Sequence, residues 1–323
     1  MSRPIPILLL LALPASGKSE IRRYLTSLSP AECQERFGIG PTVQLDDFPY
    51  VHIMRRISDE LTARGHEGAF FISPALPFRE PKDWGSLIEL LNQDYEDLIA
   101  GHKPSPTSAA EWLFNRLDAA RASVGADPVL GKLPLELYLE IKAALETEAT
   151  ELLQNRNREV PESLAGKTIV IEFARGGADG SPLPLPAPFG YQYGLSRLHP
   201  DILAKASILY IWVTPEESRR KNSERANPDD PGSILHHGVP NAVMYGDYGC
   251  DDIAYLLEQS DKPFHIQVEK EGRVYHLPVG RFDNRVDKTT FVRDEPDQWR
   301  AEDIASLQKG LQEAFTHLSG SSP

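Results

Sequence analysis

An apolar run, Ile5–Leu13, broken only by Pro6, leads straight into Pro14-Ala15-Ser16-Gly17-Lys18-Ser19 and then into a helical pattern. This junction constrains the chain more than any other feature, because it asks for a buried strand, a tight turn and a helix in immediate succession. A continuous aliphatic run is how a strand covered on both faces reads. With Arg3 ahead of it, the run also has the outline of a secretory leader. A leader has no need of Gly17-Lys18-Ser19 followed by an amphipathic helix, so the sequence predicts a strand at Ile5–Leu11 and a helix from about Lys18 to Leu28.

The rest of the chain alternates in the same way, as a parallel sheet with crossover helices requires. Strands are expected at Thr42–Leu45, Thr168–Glu172 and Ser207–Val213. Phe264–Val268 and Arg273–Val279, separated by Lys270-Glu271-Gly272, read as an antiparallel hairpin at the sheet edge. Helices are expected from near Val51, from Pro215, and over Ala301–Leu318. Residues 84–165 break the alternation. Trp84–Ile99, Ala109–Ser123 and Leu133–Asn155 carry apolar residues at three- and four-residue intervals, with prolines 104, 106, 128 and 161 between and after them. They form a helical insertion, either a cap over a substrate pocket or padding for the sheet. The division is thus a core at 1–83 and 166–323 with an insertion at 84–165. Gly176–Gly190 reads as an irregular loop.

The 323 residues, 41% hydrophobic and 25% charged, suit a soluble globular chain with a full core. The net charge of −13 disfavours nucleic-acid backbone as the main partner. No further run is long and apolar enough to span a bilayer. Cys33 and Cys250, far apart and without metal-ligand spacing, read as free thiols in a reducing, cytoplasmic setting.

Ala12–Ser19 matches the pattern Gly-x-x-x-x-Gly-Lys-[Ser/Thr] except that Ala12 takes the place of the first glycine. Successive backbone N–H groups in such a loop form a concave nest, and the following helix adds its dipole. Pro14, Ala15, Ser16, Gly17, Lys18, Ser19 and Glu20 are therefore the expected nucleotide-holding stretch. Lys18 would reach the β- and γ-phosphates of ATP and Ser19 would ligate Mg²⁺.

Other candidates follow from strand ends, since ligands in open parallel sheets sit outside the carboxyl ends of the strands. Asp46-Asp47-Phe48 supplies a candidate base, or a carboxylate holding Mg²⁺ through water, with Asp46 the first choice over Asp47; the bland alternative is a helix N-cap. Glu172 suits a carboxylate facing the metal and its water, and Arg175 could grip a phosphate or a substrate carboxylate; the alternative is an ion pair at a strand end. Arg219, Arg220 and Arg225 could neutralise charge developing on a transferred phosphoryl group, or form a solvated face. Asn227–Gly232 reads as a lid loop. Arg281, Asp283, Asn284 and Arg285 could touch the base or ribose, or equally be ordinary solvated surface residues. The adjacent His236 and His237 lack a third partner and are not expected to bind metal.

In the order of these parts the chain resembles the P-loop kinase group, with adenylate-kinase-like, uridine-kinase-like and zeta-toxin-like enzymes similar in layout. The resemblance implies a three-layer α/β/α P-loop NTPase core with a mostly parallel sheet. It also implies that Lys18 and Ser19 hold phosphate and Mg²⁺, Asp46 or Asp47 acts as base, and the arginines of the Pro215–Arg225 helix serve as lid residues. The function expected is an Mg-dependent kinase moving the γ-phosphoryl group of ATP to an unidentified small-molecule acceptor. The rivals are a P-loop ATPase and a non-catalytic nucleotide-sensing module. The insertion carries no substrate signature.

Overall fold

The computed structural model describes residues 4–225 and 238–318. Six strands form one sheet in the order β2-β3-β1-β4-β6-β5. These are β1 (Ile7–Leu11), β2 (Thr42–Asp46), β3 (Thr168–Phe173), β4 (Ala206–Trp212), β5 (His265–Lys270) and β6 (Arg273–Asp283). The first four and β6 run parallel, and β5 pairs antiparallel with β6 at the edge. All five residues of β1 are buried, and it lies between β3 and β4. The continuous aliphatic run is thus explained by a central strand with both faces covered.

Alternate side chains serve the two faces. Leu8, Leu10, Val170, Leu209 and Ile211 pack against α1 (Lys18–Ser27), α2 (Pro30–Phe37) and α12 (Ala301–Thr316). Leu9, Leu11, Ile171 and Ile208 pack against α4 (Asp83–Ala100), α7 (Gly190–Arg197) and α11 (Ile253–Gln259). Helices on both faces make the arrangement compatible with three α/β/α layers. A third core joins α3 (Phe48–Ala63) to α5 (Ala109–Ser123), α6 (Leu135–Glu159) and the short α10 (Asn241–Gly246).

The helix α2 was not expected from apolar periodicity, yet its start is strongly specified. Ser29 accepts from the Glu32 amide, Glu32 accepts from the Ser29 amide, Pro30 occupies the first turn and Gly38 closes the end at φ 65°. The stretch read as loop at Gly176–Gly190 is followed at once by α7. Further short helices, α8 (Pro200–Leu203) and α9 (Pro215–Arg225), flank β4. Among the described residues no helix is long and apolar enough to cross a membrane. Cys33 and Cys250 are free thiols.

Candidate functional site

The site lies where the carboxyl ends of β1, β2 and β3 meet. The turn after β1 is shaped by two residues with positive φ, Ala15 at 54° and Gly17 at 108°. Left-handed backbone alternating with right-handed backbone gathers successive N–H groups on one side. Ala15 holds that conformation against its own Cβ, a cost of order 1 kcal/mol that marks a shape imposed by its surroundings. Gly17 cannot be replaced without movement: a Cβ there would stand 2.6 Å from Thr289 Oγ1 and 2.9 Å from Asn284 Nδ2.

The surroundings that impose the shape come from far along the chain. Three alternate carbonyls of the turn face into the protein. Ala12 O accepts from the Tyr191 hydroxyl at 3.0 Å and from Lys18 Nζ at 3.4 Å. Pro14 O accepts from Ser218 Oγ at 2.8 Å, and Ser16 O accepts from Asn284 Nδ2 at 2.7 Å. The Ser16 hydroxyl, by contrast, is buried with no hydrogen-bond partner among the described residues. A buried orphan hydroxyl costs stability and asks for a partner from a ligand or water.

Asp46 and Glu172 stand opposite one another in register, on the same rung of β2 and β3. Paired residues of parallel strands point to the same face, so the two carboxylates share the side covered by α1. Arg22 of α1 answers both, at 2.7 Å from Glu172 Oε2 and 3.4 Å from Asp46 Oδ2. Asp46 also accepts from the Phe48 amide at 2.9 Å, which starts α3; Asp47, in the cap position itself, makes no such bond. Burial pushes the Asp46 carboxyl up to about 7, with the charges of Glu172 and Asp47 adding to the shift and Arg22 opposing it. Burial raises Asp47 too, against the pull of Arg175 and Lys18.

Arg175 is buried and committed. It donates to Asp47 Oδ2 at 2.7 Å, to its neighbour carbonyl at Ala174 and to Trp84 O, with its guanidinium 5.1 Å from the Trp84 ring centre. Its place is behind Asp47, not on the cleft surface where a phosphate grip was expected. Glu20, expected with the loop, turns its side chain to Arg293 at 2.7 Å. Arg219 lies over Tyr245 at 4.5 Å, and Arg220 is paired on the surface with Glu217 and Glu224; neither lines the cleft. Arg225 ends α9, and the suggested lid loop and His236-His237 lie outside the described residues. Arg281 and Arg285 flank Trp212, Asp283 pairs with Arg285, and Asn284 is buried and donates to Ser16 O.

Pro14–Ser19, Asp46, Asp47, Phe48 and Glu172 line a single cleft. Its far wall is aromatic, made by Phe71, Phe78, Trp84 and Tyr248, with Val51 and Arg55 of α3 and Asp247 beside them. Among the described residues no group of three or more His, Cys, Asp or Glu side chains is arranged to hold a metal ion by itself. Sequence reading missed Arg22, Ser218, Tyr191 and the aromatic wall. Only Arg22 carried a readable signal, since it stands four residues after Lys18 on one helix face. No protein-family model, curated protein or solved structure matches the chain, so the chemistry of the cleft is read from its own residues.

Proposed function

We propose that the chain is an Mg-dependent kinase of P-loop type that moves the γ-phosphoryl group of ATP to a small-molecule hydroxyl. The observation that carries this reading is the turn itself. Between a buried strand and a helix start it combines alternating left-handed residues, carbonyls tied back at positions 12, 14 and 16, and an unanswered Ser16 hydroxyl. That combination leaves an anion-seeking cup of the kind that cradles phosphate.

The residues present fit the groups the reading requires. Triphosphate would lie along Pro14–Ser19 with Lys18 at its end. A magnesium ion keeps several waters and takes one or two protein ligands besides phosphate, so the Ser19 hydroxyl and the two strand-end carboxylates lining the cleft suffice. Ser19 would hold it directly, with Glu172 and Asp46 beside its water shell; bound there, it would neutralise charge on the phosphate oxygens.

In the transfer, the acceptor oxygen bonds to the γ-phosphorus as the bond from that phosphorus to the β–γ bridging oxygen breaks. ADP leaves with the electron pair, and the acceptor's proton passes to a carboxylate. Asp46 is the better base, because a pKa of about 7 suits proton transfer near neutrality and Asp47 is held by Arg175. Arg175 then acts by fixing Asp47, and Arg22 by holding Asp46 and Glu172 in register.

Lys18→Ala is expected to weaken binding of a fluorescent ATP analogue, measured with Mg²⁺ by equilibrium titration, by tenfold or more. Unchanged affinity in a folded variant overturns the assignment.

A further inference from the structure

The cleft has two ends of different chemistry. The loop and the strand-end carboxylates form one; the other is enclosed by four aromatic rings in a chain. Phe71 stacks on Phe78 at 4.5 Å, Phe78 meets Trp84 edge-on at 4.9 Å, and Trp84 meets Tyr248 at 5.5 Å. The bridge between Phe71 and Phe78 closes the turn that brings the first two together.

Within this aromatic end stands one carboxylate that the protein leaves half answered. Asp247 is 6% exposed and lines the cleft, and its Oδ2 is buried without a hydrogen-bond partner. It directly follows α10, where a helix offers carbonyls and the negative end of its dipole rather than amides. Arg55, whose charge acts on it, makes no ion pair with it among the described residues. The Arg55 guanidinium lies 4.0 Å over the Phe71 ring and donates to Pro74 O at 2.8 Å. Burial pushes the Asp247 carboxyl up to about 6, against the Trp84 indole N–H and Arg55. A buried carboxylate oxygen left without a donor is costly, and aromatic faces beside it favour a cation over other donors.

Resting on the kinase reading, we infer that this aromatic end is the acceptor subsite and that it takes an amino alcohol with an apolar or aromatic body, its ammonium group against Asp247 and its hydroxyl toward Asp46. The rings cover the body and the carboxylate supplies the polar anchor.

The test uses two alcohols of one carbon frame, 2-amino-3-phenylpropan-1-ol and 3-phenylpropan-1-ol, titrated by calorimetry into the full chain. The amine is expected to bind about tenfold tighter or better, as a hydrogen bond between charged groups would give. In Asp247→Asn that preference should shrink to within about threefold, while affinity for the fluorescent ATP analogue stays unchanged. The wild-type comparison needs no variant, and the melting curve of Asp247→Asn is recorded alongside. Equal binding of the two alcohols, no binding of either at millimolar concentration, or a preference that survives in Asp247→Asn overturns the proposal. Binding of the ATP analogue without the amine removes the amine subsite and leaves the kinase reading standing. Amine preference without nucleotide binding removes the kinase reading, and with it the acceptor role of the subsite.

Discussion

Asp46 concentrates the electrostatics of the site in one side chain. Its carboxyl shares a rung with Glu172, borders Asp47 and is answered by Arg22 and the Phe48 amide. Because its pKa in the fold, about 7, lies above the ordinary carboxylate value, ionisation is penalised in the folded state. The stability it contributes is full below about pH 4 and is lost as pH climbs through about 7. Asp46→Asn should therefore flatten the fall in melting temperature between pH 5 and pH 8. The same variant should lower acceptor-dependent ADP release by about 10²- to 10⁴-fold while nucleotide binding persists, as loss of a general base does. In the wild type the rate should rise with pH across about 7. A variant that turns over at the wild-type rate would move the base elsewhere, with Asp47 next in line.

The elements were legible where one periodicity ran long enough to dominate. β1, β3, the helices of the insertion and the β5–β6 hairpin follow directly from apolar spacing, and their ends differ from expectation by only a few residues. Short helices such as α2, α7 and α10 were lost because they bury few residues each and rest on caps and tertiary contact. The site divided along the same line. Strand-end carboxylates could be placed from topology alone, since parallel strands aim their carboxyl ends at one crevice. The groups that fix the turn could not, because Asn284 reaches Ser16 across 268 positions and Ser218 reaches Pro14 across 204. Arg219 and Arg220 looked like cleft residues in sequence, but acidic partners lie within one turn of the same helix and take them up locally. The end of β6 thus matters to β1 through one amide. Asn284→Ala would leave the Ser16 carbonyl unanswered in a buried place, at a cost of about 1–3 kcal/mol. It should lower the melting temperature and also weaken binding of the ATP analogue, although Asn284 itself does not line the cleft. Lost stability with unaltered affinity would show that the turn keeps its shape without this support.

At the scale of the molecule, the question is whether the helical insertion moves as a unit or is welded to the sheet. Its packing argues for the weld. Tyr50, Ile53, Met54, Ile57 and Leu61 of α3 share one core with Leu113, Leu117, Ile141 and Leu145 of α5 and α6, and that core continues to Met244 and Tyr248 at the cleft wall. A polar hub sits on the same seam. Asp94 of α4 accepts from the Tyr50 hydroxyl at 2.7 Å, from Arg116 of α5 at 2.7 Å and from Arg156 of α6 at 2.5 Å. Both arginines are nearly buried, so removing their shared carboxylate leaves positive charge in a poorly solvated place. Breaking such a group from one side costs about 3–5 kcal/mol. Asp94→Ala should therefore shift the whole urea-unfolding curve to lower concentration as one transition, with circular dichroism and tryptophan fluorescence coincident. Trp112 reports from the insertion and Trp212 from the sheet, so the fluorescence change samples both. If the insertion were an independent unit, the two probes would separate and the sheet would unfold at its original midpoint. A single shifted transition would mean that the aromatic wall of the cleft is held at the same rigidity as the strands that carry the carboxylates. Any closing motion over the cleft would then not come from α5 and α6.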